Sequence, residues 1–249
     1  MKSLVVANWK MNPSTFAEAK TLLDVTRKAA EKCANISLIV APPAIYTRSL
    51  IDGYRGAKIA FALQDAQAKA EDTRTGAISI EQGKDAGASY VIVGHAECRA
   101  LGVTNDHTRI RVATALRLGM VPILCVGERL RSNDGEHFAM IREQICVGLA
   151  DAGTKIKRVI IAYEPVWAIG AREAMLPRDM HEMAIFIRKT IVDAYGDCGH
   201  TIKIVYGGSV DETNACAMLQ EGGVRGLLIG RASYDVQKCG ALLNVIEHA

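Results

Sequence analysis

Eight short runs of β-branched and other apolar residues recur along the chain, and longer segments with apolar residues at helical spacing separate them. The runs fall at residues 4–7, 37–41, 59–62, 90–93, 121–126, 159–162, 202–205 and 226–229. Segments such as 15–32, 106–118, 136–152 and 178–194 repeat apolar side chains three and four positions apart. Strand and helix in alternation predict a parallel sheet with crossover helices, because parallel neighbours cannot be joined by a tight turn. Eight such units in 249 residues favour an α/β fold of one kind, a single (β/α)8 barrel over 1–249, against an open doubly wound sheet. In such barrels the chemistry sits at the C-terminal ends of the strands. The polar residues directly after each run are therefore the candidates.

The rest of the composition narrows the function. Hydrophobic residues make up 49% of the chain, enough for a large core. The formal charge is +3 with no basic run, which gives no support to nucleic-acid or membrane-surface binding. No apolar stretch approaches the roughly 18 residues of a membrane span, and Met1-Lys2 leads into a strand without a signal-peptide pattern. Seven widely spaced cysteines with no Cys-x-x-Cys read as reduced thiols in a cytoplasmic protein. No His/Cys group has zinc spacing, so no metal is expected.

The sixth run ends at Glu164, and Pro165 then restricts the backbone. Val166, Trp167, Ala168 and Ile169 form an apolar loop that Gly170 closes. A carboxylate beside a loop able to cover it with hydrocarbon suits proton abstraction, since excluding water strengthens a carboxylate base. The first run ends in Asn8-Trp-Lys10, a cation where a barrel binds anions. The fourth ends in Gly94-His95-Ala-Glu97; a His at a helix start is held neutral and can donate and shuttle protons. Glu97 either caps that helix or positions Lys10. Glu128 follows the fifth run and is expected either to meet a cation in the loop after the sixth or to stay solvated. The seventh and eighth runs end in Gly207-Gly208-Ser209 and Gly230-Arg231. Glycine turns after the last two strands are where barrels hold phosphate on backbone N–H groups. Each feature alone also fits a structural or solvated residue.

Taken in order, Asn8-Trp-Lys10, Gly94-His95-x-Glu97, Cys125-Val-Gly-Glu128, Tyr163-Glu164-Pro-Val-Trp-Ala-Ile-Gly170, Tyr206-Gly-Gly-Ser209 and Gly230-x-Ala-Ser233 resemble the triosephosphate isomerase family over the whole length. The resemblance implies interconversion of dihydroxyacetone phosphate and glyceraldehyde 3-phosphate through an enediolate. It makes Glu164 the base and neutral His95 the electrophile, an assignment already known for this family. Asn8 and Lys10 would stabilise the developing oxyanion, with Glu97 orienting Lys10 or relaying protons. Backbone N–H groups of Gly170, Ser209, Gly230 and Arg231 would hold the phosphate. No cofactor is implied, because the substrate carbonyl is its own electron sink. The alternative is a barrel that has lost activity and serves as a binding or structural protein.

The family also implies a homodimer in which the loop bearing Thr75-Gly76 enters a pocket of the second subunit, where Met11 would face it. Several positions depart from the pattern. Ala171-Arg172-Glu173 replaces Thr-Gly-Lys at the lid's second hinge, Ala96 replaces Ser, and Arg231 stands where a second Gly is common. Arg225 replaces the Asp expected to pair with Arg188. Ala77, Cys98 and Val103 replace a Glu, an Arg and a Glu, and Arg74 replaces an aromatic residue at the loop tip. Loss of that whole charge cluster predicts a repacked interface, since removing one charge alone would strand the others.

Overall fold

A computed structural model describes residues 2–69, 71, 74–131, 134–170 and 174–249. Within them, β1 (Ser3–Asn8), β2 (Ile36–Ala41), β3 (Ile59–Leu63), β4 (Tyr90–Val93), β5 (Val121–Val126), β6 (Ile160–Tyr163), β7 (Lys203–Tyr206) and β8 (Gly226–Ile229) form a closed barrel in sequence order. All neighbouring pairs are parallel, and β1 closes on β8 with Leu4 opposite Gly226. The helices outside it are α1 (Phe16–Glu31), α2 (Ala44–Gly53), α3 (Ile80–Asp85), α4 (Ala96–Ala100), α5 (Asn105–Arg117), α6 (Glu136–Leu149), α7 (Pro177–Tyr195), α8 (Ala215–Glu221) and α9 (Val236–Glu247).

The expected barrel is therefore present. The sixth and seventh strands begin one residue later than the apolar runs. Val159 and Ile202 each follow a 3-10 helix, Gly153–Arg158 and Gly196–Thr201, whose last turn holds them out of the ladder. Helix starts follow capping chemistry. Thr15 caps α1, Ser79 caps α3 and Thr104 caps α5, each with a reciprocal side-chain bond from the third helical residue.

Strand alternation divides the core in two. Leu4, Val6, Ile39, Ile92, Ile123, Cys125, Ile160, Ala162, Val205 and Leu228 pack together inside the barrel. Their neighbours Val5, Ala7, Leu124, Ile161, Ile204 and Leu227 pack against the helices. This parity aims the site. Continuing each strand by its period of two, Asn8, Glu164, Gly207 and Gly230 fall on the inner face at the barrel mouth. Glu128 and Tyr163 fall on the outer one.

The expected pairing at Arg188 is replaced by a different one. Arg188 Nη1 donates to the carbonyls of Gly199, His200 and Ile202 at 3.3, 2.8 and 3.3 Å. Backbone oxygens thus take up the guanidinium where Arg225 offers no carboxylate. All seven cysteines are free. Among the described residues no helix is long and apolar enough to cross a membrane.

Candidate active site

Asn8, Lys10, His95, Glu97, Glu164, Gly170, Ser209, Gly230 and Arg231 all line one cavity of about 400 Å³ at the barrel mouth. These are the nine candidates from the sequence. Gly207, Gly208, Val210, Ile169, Leu228 and Tyr234 complete its wall.

Glu164 leaves β6 with its N–H bonded to the carbonyl of Val126 at 2.8 Å, and its side chain is 1% exposed. Oε2 accepts the N–H of Ala96 at 3.0 Å. Oε1 is buried without a hydrogen-bond partner and lies 3.3 Å from His95 Nε2. His95 caps α4, its Nδ1 accepting the Glu97 N–H at 3.2 Å. An accepting Nδ1 carries a lone pair, so this bond assigns the ring proton to Nε2, the nitrogen that faces the cavity. Local backbone geometry therefore selects the tautomer.

Lys10 has φ +53, in the left-handed region that residues with a Cβ seldom enter. The Asn8 side chain accepts its N–H at 3.1 Å, and Gln64 Nε2 donates to its carbonyl at 2.7 Å while also reaching Ala41 O. The strain is held by these bonds, and the ammonium reaches Glu97 Oε1 at 2.5 Å. Burial alone would raise the Glu97 carboxyl, but the bond and charge of Lys10, together with His95, outweigh it and hold the group below its usual range.

Two glycines are steric requirements of the Glu164 position. A Cβ on Gly127 would overlap the carbonyl oxygen of Glu164. A Cβ on Gly207 would lie 2.9 Å from Glu164 Cγ and 3.3 Å from Oε1. Gly207→Ala is therefore expected to push the carboxylate aside. A displacement of that size at a reacting atom costs about 10²-fold in kcat/KM. Steady-state kinetics beside a thermal melt will check this; an unchanged kcat/KM would show that the carboxylate is not held by that wall.

The apolar loop after Glu164 is tied down at both ends. Val166–Ala168 forms a 3-10 turn, and Val166 N–H bonds the Glu128 carbonyl at 2.9 Å. The Trp167 indole donates to Glu128 Oε1 at 2.9 Å, and Met175 N–H to the Tyr206 hydroxyl at 3.2 Å. The hinge Ala171-Arg172-Glu173 lies outside the described residues. Arg172, the cation of the loop after β6 that Glu128 could meet, lies outside the described residues. Glu128 accepts Tyr163 OH and Trp167 Nε1, and among the described residues the guanidinium nearest it, Arg131, comes from its own loop. Burial, then the neighbouring carboxylate, push the Tyr163 phenol well up, so it remains a donor.

Gln64, the contact of Gly207 with Glu164 and the Tyr163–Glu128–Trp167 set escaped the sequence reading as site parts. Only the strand parity carried a signal for the Gly207–Glu164 contact. Among the described residues no group of three or more His, Cys, Asp or Glu is arranged to hold a metal ion.

The triosephosphate isomerase family profile matches residues 3–248. Relatives named triosephosphate isomerase include that of Bradyrhizobium sp. (strain ORS 278), 37% identical over 94% of this chain and 93% of its own. That of Endomicrobium trichonymphae is 34% identical over 95% of each chain, and that of Moorella thermoacetica 32% over 98% of each. The chain belongs to the triosephosphate isomerase family. As a triosephosphate isomerase family member it keeps a carboxylate, an imidazole and an ammonium converging on one cavity, with glycine turns of β7 and β8 opposite.

Proposed function

We propose that this chain interconverts dihydroxyacetone phosphate and D-glyceraldehyde 3-phosphate without a cofactor. The observation that carries this is Glu164 Oε1, buried and unpartnered beside the His95 nitrogen that bears the proton. Glu164 takes a proton from the carbon next to the carbonyl, and the bonding pair moves onto the carbonyl oxygen. His95 Nε2–H donates to that oxygen and recovers a proton from the adjacent hydroxyl. Glu164 then returns its proton to the other carbon, so atoms and electrons balance with no oxidant. Lys10 and Asn8 stabilise the enediolate charge, and Glu97 holds Lys10 in place. Backbone N–H groups of Gly170, Ser209, Gly230 and Arg231 receive the phosphate, with the segment 165–170 as a lid. A coupled assay of the purified protein with glyceraldehyde 3-phosphate tests the reading. Turnover supports it, and its absence in folded protein favours a barrel kept for binding alone. We place this activity in a reducing cytoplasm, where seven free thiols persist.

We also propose a homodimer built on the loop that carries Thr75-Gly76. Met11, Ile45 and Leu101, on segments following β1, β2 and β4, are 91, 83 and 88% exposed, apolar side chains that a second subunit would cover. Ala77 is exposed on the docking loop, and Val103 N–H bonds the Cys98 carbonyl at 3.1 Å. Burial pushes the Cys98 thiol up to about 12, so at neutral pH it is an uncharged packing group. With few ion pairs in the contact, sedimentation at micromolar protein is expected to show a dimer at low and high salt alike. Cys98→Arg is expected to weaken it by placing an unpaired charge in the contact. A monomer at all concentrations, or undiminished dimerisation of the Cys98→Arg protein, would reject the interface.

A further inference from the structure

The loop after Glu128 carries a guanidinium that the proposed chemistry does not use. Glu128 lies on the outer face at the end of β5 and is fully buried. Its Oε1 accepts Tyr163 OH at 2.8 Å and Trp167 Nε1 at 2.9 Å, and its Oε2 accepts Tyr163 OH at 3.0 Å. A carboxylate removed from water needs a full set of donors or a cation. Among the described residues the cation within reach is Arg131, with Nε 4.0 Å from Oε1 and Nη1 3.9 Å from Asp179 Oδ2 on α7. Neither distance is a hydrogen bond. Arg131 Nε and Nη2 are both buried with no partner. Buried cationic N–H groups left unmade are costly, and such groups call for an explanation in function.

The oxygen that Arg131 approaches is the one the lid already holds. Trp167 belongs to the segment 165–170, and its indole occupies Oε1. If the indole withdraws, Oε1 loses a donor. Arg131 Nε would then need to advance by only about 1 Å to make a charge-assisted bond. We infer that Arg131 is a positioning residue that replaces Trp167 at Glu128 Oε1 when the lid lifts, and so sets how firmly the lid closes. This rests on the isomerase reading above. One oxygen exchanging two donors makes a two-state element, and removing one donor biases it toward the other.

The test uses Arg131→Met, which keeps length and removes charge. The probe is 2-phosphoglycolate, whose carboxylate and phosphate imitate the charges of the enediolate. With Trp9 fully buried and Trp167 partly exposed, indole emission reports the lid. Arg131→Met is expected to tighten 2-phosphoglycolate by about fivefold, and to lower kcat and KM together because the lid opens less readily. Arg131→Lys should restore part of the loss. In a Trp167→Phe background, calorimetry should show no further effect of Arg131→Met, since the competitor is gone. Unchanged or weaker probe binding by Arg131→Met, or the same gain without Trp167, overturns the inference while leaving the isomerase reading intact. If Arg131→Met does not fold, Arg131→Lys alone should tighten the probe about twofold by its shorter reach, and no change overturns the inference. A wild-type protein that neither isomerises nor binds the probe removes the reading and this inference with it.

Discussion

Glu164→Gln is expected to lower turnover by at least ~10²-fold while the barrel stays folded. Glutamine keeps the size of the side chain and an oxygen for the Ala96 N–H, which Glu164 now receives at 3.0 Å. The other end of the amide is NH2. It would face His95 Nε2, which lies 3.3 Å from Oε1 and already carries a proton. Two donors would then oppose one another and nothing could accept the substrate proton. The loss should therefore appear in kcat more than in KM, because the phosphate end of the cavity is untouched. The coupled assay and a thermal melt on the same preparation measure both terms. Near-normal turnover of a folded Glu164→Gln protein would end the assignment of Glu164 as base.

Arg111→Met is expected to cost about 3–5 kcal/mol of stability, the scale of a buried ion pair broken on one side. Arg111 is buried on α5, and it binds Glu71 through Nε and Nη2, each at 2.9 Å, and Asp65 through Nη1 at 2.9 Å. Both carboxylates belong to the loop after β3, and Glu71 also accepts the Ala68 N–H. The variant would leave Glu71 buried, and Asp65 partly so, without that cation. The two acids respond differently. Burial alone would raise Glu71, but the bonds and charge of Arg111, the Ala68 N–H and the nearby His107 together outweigh it and hold the carboxyl below its usual range. Asp65, with a single bond from Arg111, is instead dominated by burial and lies above its own range. Glu71's lowered folded value means that its contribution is present above the unfolded carboxyl value. That contribution is lost as pH falls through the folded value. The Arg111→Met deficit should accordingly shrink in acid. Because this loop is the proposed docking element, the dimer should weaken as well. Denaturant unfolding at fixed protein concentration, at neutral and acid pH, gives the comparison. A loss below about 1 kcal/mol would show that the cluster is solvated in practice.

Barrel and cavity were both legible from local pattern. A period of two in the strands sets which residues face inward, and the strand ends then place Asn8, Glu164 and the β7 and β8 turns on one mouth. Such features depend on neighbours in sequence, so periodicity and glycine position report them. His95 as a helix cap follows from the same kind of reasoning. Partner choice for buried charges was not legible. Glu128 was expected either to meet a cation beyond β6 or to stay solvated; it is buried, and among the described residues it meets the Tyr163 hydroxyl and the Trp167 indole, with Arg131 waiting on its own loop. Arg188 found carbonyls where a carboxylate was lost. Arg111 joins acids 46 and 40 positions away. On a sequence it reads as one more charge on a helix; only closure of the barrel, which removes water from that face, makes its pairing compulsory. The local chain dictates the direction in which a side chain leaves the backbone. Which group it meets there, and how much water remains between them, is decided by elements brought together from far along the chain.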